Sequence, residues 1–238
     1  GAEFSGGTVW FGGAELSDSA KFSGGTVSFD GADFSGGDVW FAGAEFSGGR
    51  VSFEGAKFSG GEIWFAGTEL SNSAKFSGGT VSFAGAEFSS SDVWFARAEF
   101  SGGRVSFAGA EFSGGTVWFG GAEDGAVFSG GTVSFDGAEF SGGTVTFRSA
   151  EFSGGDVWFA GAVFSGGRVW FGGAVFSGGM VDFTRVADWS HPPIDLPAQA
   201  PGLDLPPQPA SQAVAQSAEE NTEQTKTEDG TGSPKPMP

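Results

Sequence analysis

Tryptophan is the residue of this 238-residue chain whose type and spacing point most directly to molecular recognition. Seven Trp side chains stand between a Val or Ile and a Phe: Trp10, Trp40, Trp64, Trp94, Trp118, Trp158 and Trp170. Trp40 and Trp64 are separated by two copies of a 12-residue unit, as are Trp94 and Trp118. Exposed aromatic columns bind sugars, peptides or partner proteins. The simpler explanation is that the rings stabilise neighbouring strands by cross-strand stacking.

Residues able to do covalent or metal chemistry are almost absent. The chain has no Cys, no Tyr and a single His, His191, which stands beside two prolines. Each Ser recurs as a turn or strand residue of the repeat, and the "SGG" triplets are not phosphate loops because neither a helix nor a Lys accompanies them. No catalytic triad or metal cluster can be assembled. We therefore predict a protein that is not an enzyme and that uses no cofactor or metal.

The Trp positions belong to a 12-residue repeat in which Phe recurs at alternating intervals of seven and five residues. From Phe22 the series runs to Phe29, Phe34, Phe41 and Phe46. The residue two before each Phe is Ala, Val or Ile and the one between varies, which is typical of a short strand with two inward positions and one outward position. Gly-Gly pairs argue against helices and suit tight turns. Such short strands are unstable alone, so we predict a β-solenoid of stacked strands around a Phe core.

"AEFSG" and "VWFAG" resemble the pentapeptide repeat, which has a small residue, a variable one, a central Leu or Phe, then Ser and Gly. The resemblance to the pentapeptide-repeat family spans about residues 1–184. It implies an all-β fold, a right-handed quadrilateral parallel β-helix with four faces per coil. Two residues inserted between alternate pentapeptides give a coil of two 12-residue units, and about eight coils in all. The alternative is a triangular left-handed β-helix, since the mean face length is six residues, but Phe at every core position favours four faces.

A longer period lies above the coil, because residues 14–67 and 68–121 align without gaps and are identical at 42 of 54 positions. Modules therefore begin near 14, 68 and 122. The first two open with a unit centred on Leu16 or Leu70, and the third opens with "AEDGAVF", two residues shorter and with Asp124 in place of Leu. Nine faces per module would turn successive modules by one face. We expect Asp124 at a tightened corner with its carboxylate in solvent, because burial of an unpaired charge is costly.

Outward positions become apolar in the last coils, where Val163, Val175, Trp158 and Trp170 replace the Glu and Ser of earlier repeats. This patch is interpreted as a homodimer interface or as the docking site of the next segment. The complete candidate interaction surface is Trp40, Trp64, Trp94, Trp118, Trp158, Trp170, Val163 and Val175.

The end of a solenoid exposes strand edges and core side chains, so it needs a cap. "RVADWSHPP" is well placed to supply one, with residues 185–191 as the cap and Trp189 folding back over Phe176 and Phe183. Residues 192–238 contain no aromatic residue and are rich in Pro, Gln, Glu, Thr and Ala. We therefore predict that 192–238 is a disordered acidic tail.

The net charge of −18 excludes nucleic acid as a partner unless the protein imitates it. The resemblance suggests such imitation, because some pentapeptide-repeat proteins mimic DNA and bind type II topoisomerases such as gyrase. Residues 1–186 carry 21 acidic and 9 basic residues, a net −12, which is about half the charge of ~37 Å of duplex DNA. The acids are spread over all faces, which favours a role in solubility.

These observations predict a non-enzymatic scaffold or protein-interaction module with an unknown protein partner. A DNA-mimicking topoisomerase modulator is the alternative, and carbohydrate or peptide binding through the Trp columns is the third. We expect no membrane segment, since no apolar run approaches about 18 residues, and a cytoplasmic location, which the lack of Cys suits. The chain begins at Gly1 inside a repeat, so we interpret it as a fragment.

Overall fold

The computed structural model describes residues 3–4, 8–10, 21–35, 38–66, 73–122 and 124–207. In these ranges short strands pair in parallel and form a solenoid of about seven turns with four faces. Face 1 consists of β1 (Glu3–Phe4), β3 (Lys21–Phe22), β7 (Glu45–Phe46), β11 (Lys75–Phe76), the first parts of β15 (Glu99–Ser106), β18 (Val127–Ser134) and β21 (Glu151–Trp158), and β24 (Val175–Phe176). Face 2, the Ser face, consists of β2 (Thr8–Trp10), β4 (Thr26–Ser28), β8 (Arg50–Ser52), β12 (Thr80–Ser82), the last parts of β15, β18 and β21, β25 (Met180–Asp182) and β26 (Leu203–Asp204).

The other two faces are separate six-stranded sheets. Face 3 consists of β5 (Asp33–Phe34), β9 (Lys57–Phe58), β13 (Glu87–Phe88), β16 (Glu111–Phe112), β19 (Glu139–Phe140) and β22 (Val163–Phe164). Face 4, the Trp face, consists of β6 (Val39–Trp40), β10 (Glu62–Trp64), β14 (Asp92–Trp94), β17 (Thr116–Gly120), β20 (Thr144–Phe147) and β23 (Arg168–Trp170). Four faces confirm the quadrilateral prediction and exclude the triangular alternative.

The core consists of Phe columns in which each ring stacks on the equivalent ring of the next coil. Phe83 lies between Phe53 and Phe107, with ring centroids 4.8 and 4.9 Å apart and planes within 4° of parallel. Phe83 also meets Phe95 edge to face across the solenoid at 5.9 Å. Phe83, Phe95 and Phe107 are completely buried, so the core is filled by aromatic side chains with favourable stacked and perpendicular contacts.

Successive coils approach closely at the "SGG" corners, which favours Gly there, although Ser90 and Ser91 occupy the two Gly positions of one such corner. A Cβ on Gly102 would overlap the carbonyl oxygen of Ser77 in the preceding coil, and Gly103 has a φ of +71°. The opposite corners are open, and a Cβ on Gly109 would meet nothing within 4 Å. Only a positive φ restricts that second kind of corner, which explains why it tolerates Arg97 at a φ of 65°.

The coil register shows that the second module opens with an insertion at a corner and not with a face. The first opening differs, because Phe4 pairs with Phe22, six positions short of two units. Lys21–Phe22 pairs with Glu45–Phe46, two 12-residue units on, whereas Phe46 pairs with Phe76, which is six positions further than two units. The nitrogen of Ala74 donates a hydrogen bond to the oxygen of Phe65 (2.9 Å), as in every ordinary corner. The six extra residues therefore extend one corner. A module contains eight faces, which is two full turns, so the prediction of nine faces and a rotated module is wrong.

The third module opens in the same way with a shorter insertion. Phe100 pairs with Phe128, four positions further than two units, and the nitrogen of Ala126 donates to the oxygen of Phe119 (2.7 Å). Four extra residues therefore leave the coil here, where Gly120 and Gly125 form an antiparallel bridge. The prediction of a tightened corner at Asp124 is therefore wrong, because this corner is longer than an ordinary one.

A final coil without the repeat sequence closes the C-terminal end, and the compact unit ends at Leu205. Asp188 bridges to Val163 on face 3, Ile194 to Trp170 on face 4, and β26 pairs with β25 on the Ser face. The prediction that disorder begins at 192 is therefore wrong for 192–205, since the backbone of this segment adds a last rung to the solenoid. Residues 208–238 of the predicted tail lie outside the described residues.

Candidate functional site

The strands of the Trp face direct one aromatic column outward because strand residues alternate between the two sides of a sheet. In β14, Val93 and the following Phe95 are fully buried, and Trp94 between them faces outward. Parallel pairing in register brings Trp40, Trp64, Trp94 and Trp118 onto successive rungs. These four residues are called the Trp ladder below.

The rings of the Trp ladder are stacked in parallel along the face. Successive ring centroids are 5.1, 4.9 and 4.8 Å apart, and the planes differ by 4°, 7° and 1°. Trp40 is 39% exposed, and the other three residues of the ladder are partly exposed. The ladder therefore forms a rigid, mostly apolar strip along one side of the solenoid, with little conformational entropy to lose when a partner binds.

The indole N–H groups of the Trp ladder differ in their hydrogen bonding. Trp64 Nε1 donates to Glu62 Oε2 at 2.9 Å, two residues earlier on the same strand. The position two residues before the Trp is occupied by Asp92 in the next rung, where Asp92 Oδ1 accepts the N–H of Thr116 (3.1 Å). In the part of the chain that the structure describes, Trp94 Nε1 and Trp118 Nε1 are buried without a partner. An unpaired buried donor costs about 1–3 kcal/mol, so Trp94 and Trp118 are not optimised for stability.

The column continues beyond the ladder with one Trp missing. Trp118 pairs with Thr146, and Thr146 pairs with Trp170. The missing ring leaves a cavity of about 170 Å³ lined by Trp118, Thr144, Thr146, Arg148 and Trp170. Sequence reasoning missed this cavity, although the signal is present as "TVTF" at residues 144–147, where the same face elsewhere has Trp.

The remaining residues of the candidate interaction surface do not join the ladder. Trp158 lies on the Ser face in register with Ser134, Val163 on face 3 and Val175 on face 1, where it is 54% exposed. Trp158, Val163, Trp170 and Val175 therefore follow one another around a single coil. The interpretation of these four residues as one patch is wrong, because they point in four directions.

Trp189 packs against the last Phe residues of the core. Its ring lies 5.4 Å from that of Phe183 and 5.3 Å from that of Phe164, both in edge-to-face contacts. The contact with Phe183 agrees with the predicted cap. Among the ring contacts of the described residues, Phe164 takes the place expected for Phe176, because residue 188 returns along face 3 and brings Trp189 above Phe164.

Asp124 lies outside the Phe column, as expected, and forms an ion pair with Arg97 that the sequence did not reveal. The Arg97 and Asp124 side chains are 25% and 41% exposed. The hydrogen bond to Asp124 raises the pKa of Arg97 above its ordinary value, although desolvation opposes this shift. Arg97 is recognisable in the sequence as the residue that replaces Gly in "AGA". The pair connects two successive corners, which is a structural role.

Asp30 is the centre of a small polar network at the edge of the Ser face. It accepts hydrogen bonds from the hydroxyl of Ser52 and from the N–H of Glu54 (3.1 Å). Desolvation raises the pKa of Asp30, but hydrogen bonds with Ser52, Ser28 and Glu54 and the charge of Arg50 together hold it below its ordinary value. This network links three neighbouring coils through polar groups only, since Glu54 in turn accepts from Ser82 (2.9 Å).

The outward columns of faces 1 and 3 contain side chains of both charges. Glu87 pairs with Glu111 on face 3, whereas Glu99 pairs with Val127 on face 1. Lys57 and Lys75 lie 3.8 Å from Glu87 and Glu99, respectively. Within the described ranges, no three His, Cys, Asp or Glu residues converge as metal ligands. The same ranges contain no helix with the length and hydropathy to cross a membrane.

The geometry defines the class first: a four-faced parallel β-solenoid built from five-residue units around a Phe core. Residues 124–167 match the family model for pentapeptide repeats (9 copies). The same unit recurs on both sides of this match, in the described coils that precede the final one, so the chain resembles pentapeptide-repeat proteins beyond the matched residues. No curated protein sequence matches the chain.

Solved structures similar to this chain include pentapeptide-repeat proteins. One is HetL, a pentapeptide-repeat protein involved in heterocyst differentiation regulation from the cyanobacterium Nostoc sp. strain PCC 7120, with 17% identity over 74% of this chain and 87% of HetL and a TM-score of 0.24. Another is a trypsin-treated variant of QnrB1, a plasmid-mediated fluoroquinolone resistance protein, with 16% identity over 93% of this chain and 98% of that one and a TM-score of 0.25. These sequence identities and TM-scores are too low to support a conclusion about function.

Proposed function

We propose that this protein is a non-enzymatic scaffold that presents the Trp ladder to a protein partner. The observation that carries the proposal is the continuous outward stack of four Trp rings on one face. Aromatic residues are the commonest energetic anchors of protein interfaces. The unpaired N–H groups of Trp94 and Trp118 add support, because a ladder selected for stability alone would pair them as Glu62 pairs Trp64.

The test compares proteins captured from native lysate by wild type, by Trp64→Thr/Trp94→Thr and by Trp158→Thr. Thr is the replacement because Thr146 occupies the same column in the native protein. The Trp158 variant is the matched control, since Trp158 lies on another face. We expect a protein lost only with the ladder variant, which then binds the purified wild-type chain directly. A set of captured proteins that is identical for the two variants would overturn the proposal.

The DNA-mimicking alternative requires continuous columns of negative charge, and the described columns do not favour it. Face 3 runs Asp33, Lys57, Glu87, Glu111, Glu139 and Val163. We expect no effect of micromolar protein on supercoiling by a purified gyrase. Inhibition or protection of gyrase at that concentration would favour the alternative.

A further inference from the structure

We propose that the gap in the Trp column at Thr146 is a binding slot for one planar aromatic ring. The two walls are Trp118 on the rung below and Trp170 on the rung above. Two rungs of a β-sheet span about 9.6 Å. A ring inserted midway would lie about 4.8 Å from each wall, which matches the 4.8–5.1 Å between centroids within the ladder. The inserted ring would complete the column that the sequence interrupts.

The floor of the slot is apolar although it is made by a Thr. The hydroxyl of Thr146 donates to the oxygen of Gly120 (3.2 Å) and accepts the N–H of Arg148 (3.2 Å), and the residue is only 2% exposed. Both hydrogen-bonding roles are therefore used within the protein, and the hydroxyl is not offered to a ligand. A sugar would lose water from most of its hydroxyl groups and find few polar partners here, of which Thr144 and Arg148 line the slot, whereas an aromatic ring has no such cost.

The size of the slot suits a single ring. The cavity of about 170 Å³ is comparable to the engineered cavity of about 150 Å³ that binds benzene in another protein. Arg148 and Asp195 both lie beside Gly172 at the next corner, with Arg148 Nε and Asp195 Oδ2 at 3.8 and 3.0 Å from the position of a Cβ on Gly172. A carboxylate therefore lies in the neighbourhood of Arg148, so we expect no strong preference for a charged ring.

We assign the ring to another molecule. Residues 190–238 contain no Phe, Tyr or Trp, so this segment has none of these side chains to insert. Two sources share the required chemistry, a free aromatic compound and an aromatic side chain on a partner. The proposal of a ring-binding slot rests on the geometry of the cavity. It does not depend on whether the Trp ladder binds a protein partner.

The experiment measures indole binding to the full chain by ligand-observed NMR and calorimetry. A nine-atom fragment of this kind should bind with a Kd on the order of 1 mM. Cyclohexanol, which is of similar size but not planar, should bind at least tenfold more weakly. Thr146→Trp fills the slot and should weaken indole binding at least tenfold, whereas Ser134→Trp, which adds a ring on the Ser face beside Trp158, should leave the Kd unchanged.

A second variant keeps the test decisive if Thr146→Trp does not fold. Trp170→Thr removes one wall and should also weaken binding at least tenfold. No saturable binding of indole to wild type up to 10-fold above the expected Kd, unchanged binding in a folded slot variant, or equal binding of cyclohexanol would each overturn the proposal. An N-acetylated Gly-Trp-Gly amide that binds tenfold more tightly than indole would assign the ring to a partner protein, and weaker binding would assign it to a free compound.

Discussion

Deletion of the six residues Thr68–Ser73 tests the coil register more severely than any point substitution. The deletion converts "FAGTELSNSAKF" into "FAGAKF", which is the sequence of an ordinary corner. In the wild-type chain eight residues separate Phe65 from Ala74, whereas two separate Phe41 from Ala44. Both corners close with the same hydrogen bond, at 2.9 and 3.0 Å. The fourfold shorter connection lowers the entropy cost of closure by about 1 kcal/mol. We expect the variant to equal or exceed wild type in stability by that amount.

The assay is urea unfolding followed by near-UV circular dichroism, with the free energy of unfolding compared at equal m values. A control deletion of the same length, Ala110–Gly115, removes a face with the buried Phe112 and should cost at least about 3–5 kcal/mol or prevent folding. If the Thr68–Ser73 deletion costs as much as the control, Leu70 marks a true face, and the register with two turns per module is refuted.

Three further results are expected from point substitutions. Thr116→Gln offers an acceptor to Trp118 Nε1, as Glu62 does to Trp64, and should raise the free energy of unfolding by about 1 kcal/mol. Thr144→Gln is the control, because no Trp follows two residues later, and it should not raise the free energy of unfolding. Equal effects of the two substitutions would contradict the explanation. Asp30→Asn removes a carboxylate whose pKa is lowered in the fold. The free energy of unfolding of wild type should exceed that of the variant above the unfolded pKa of about 3.9, and this difference should disappear as pH falls through the lower folded pKa. A difference that does not change with pH would count against this role of Asp30. Gly102→Ala should cost about 1–3 kcal/mol in urea unfolding, because its Cβ overlaps the preceding coil; a neutral result would show that the corner relaxes.

The Trp ladder was predictable because it depends only on periodicity. Positions separated by two 12-residue units on a four-faced coil must stack, and the pairs Trp40–Trp64 and Trp94–Trp118 follow directly. The pairing of Trp64 with Trp94 did not follow, since their longer separation required knowing that the unit at Leu70 is an insertion. A Leu unit satisfies the hydrophobic pattern of a face, so composition alone does not separate the two cases. The spacing of six between Leu70 and Phe76, off the seven-and-five grid, was the available signal.

The C-terminal coil was mispredicted because a Pro-rich composition indicates a shortage of backbone hydrogen-bond donors but does not show whether the residues between the prolines make apolar contacts. Pro cannot donate to a strand ladder, yet residues 192–205 need only a few bonds to close the end, such as the one from the nitrogen of Phe171 to the oxygen of Ile194 (2.9 Å). Leu203 is buried against the core and Leu196 is partly buried there. The apolar residues between the prolines were the overlooked signal.

The Arg97–Asp124 pair and the slot at Thr146 depend on which corners are extended, and by how many residues. The separation of Arg97 from Asp124, and that of Trp118 from Thr146, are both longer than two 12-residue units, so neither pair fits the period of the coil. Each becomes adjacent only after the four-residue insertion has been placed at the corner that follows Phe119. Three-dimensional structure was needed for both.

The most direct test of the central claim, that the Trp face recognises a partner, is the dissociation constant of the purified partner for single variants. Trp94→Thr and Trp158→Thr make the same chemical change on two different faces. We expect Trp94→Thr to weaken binding at least tenfold, a typical cost for an aromatic anchor, and Trp158→Thr to leave the dissociation constant within about twofold of wild type. Equal losses in the two variants, or no loss with Trp94→Thr in a folded protein, would contradict the account.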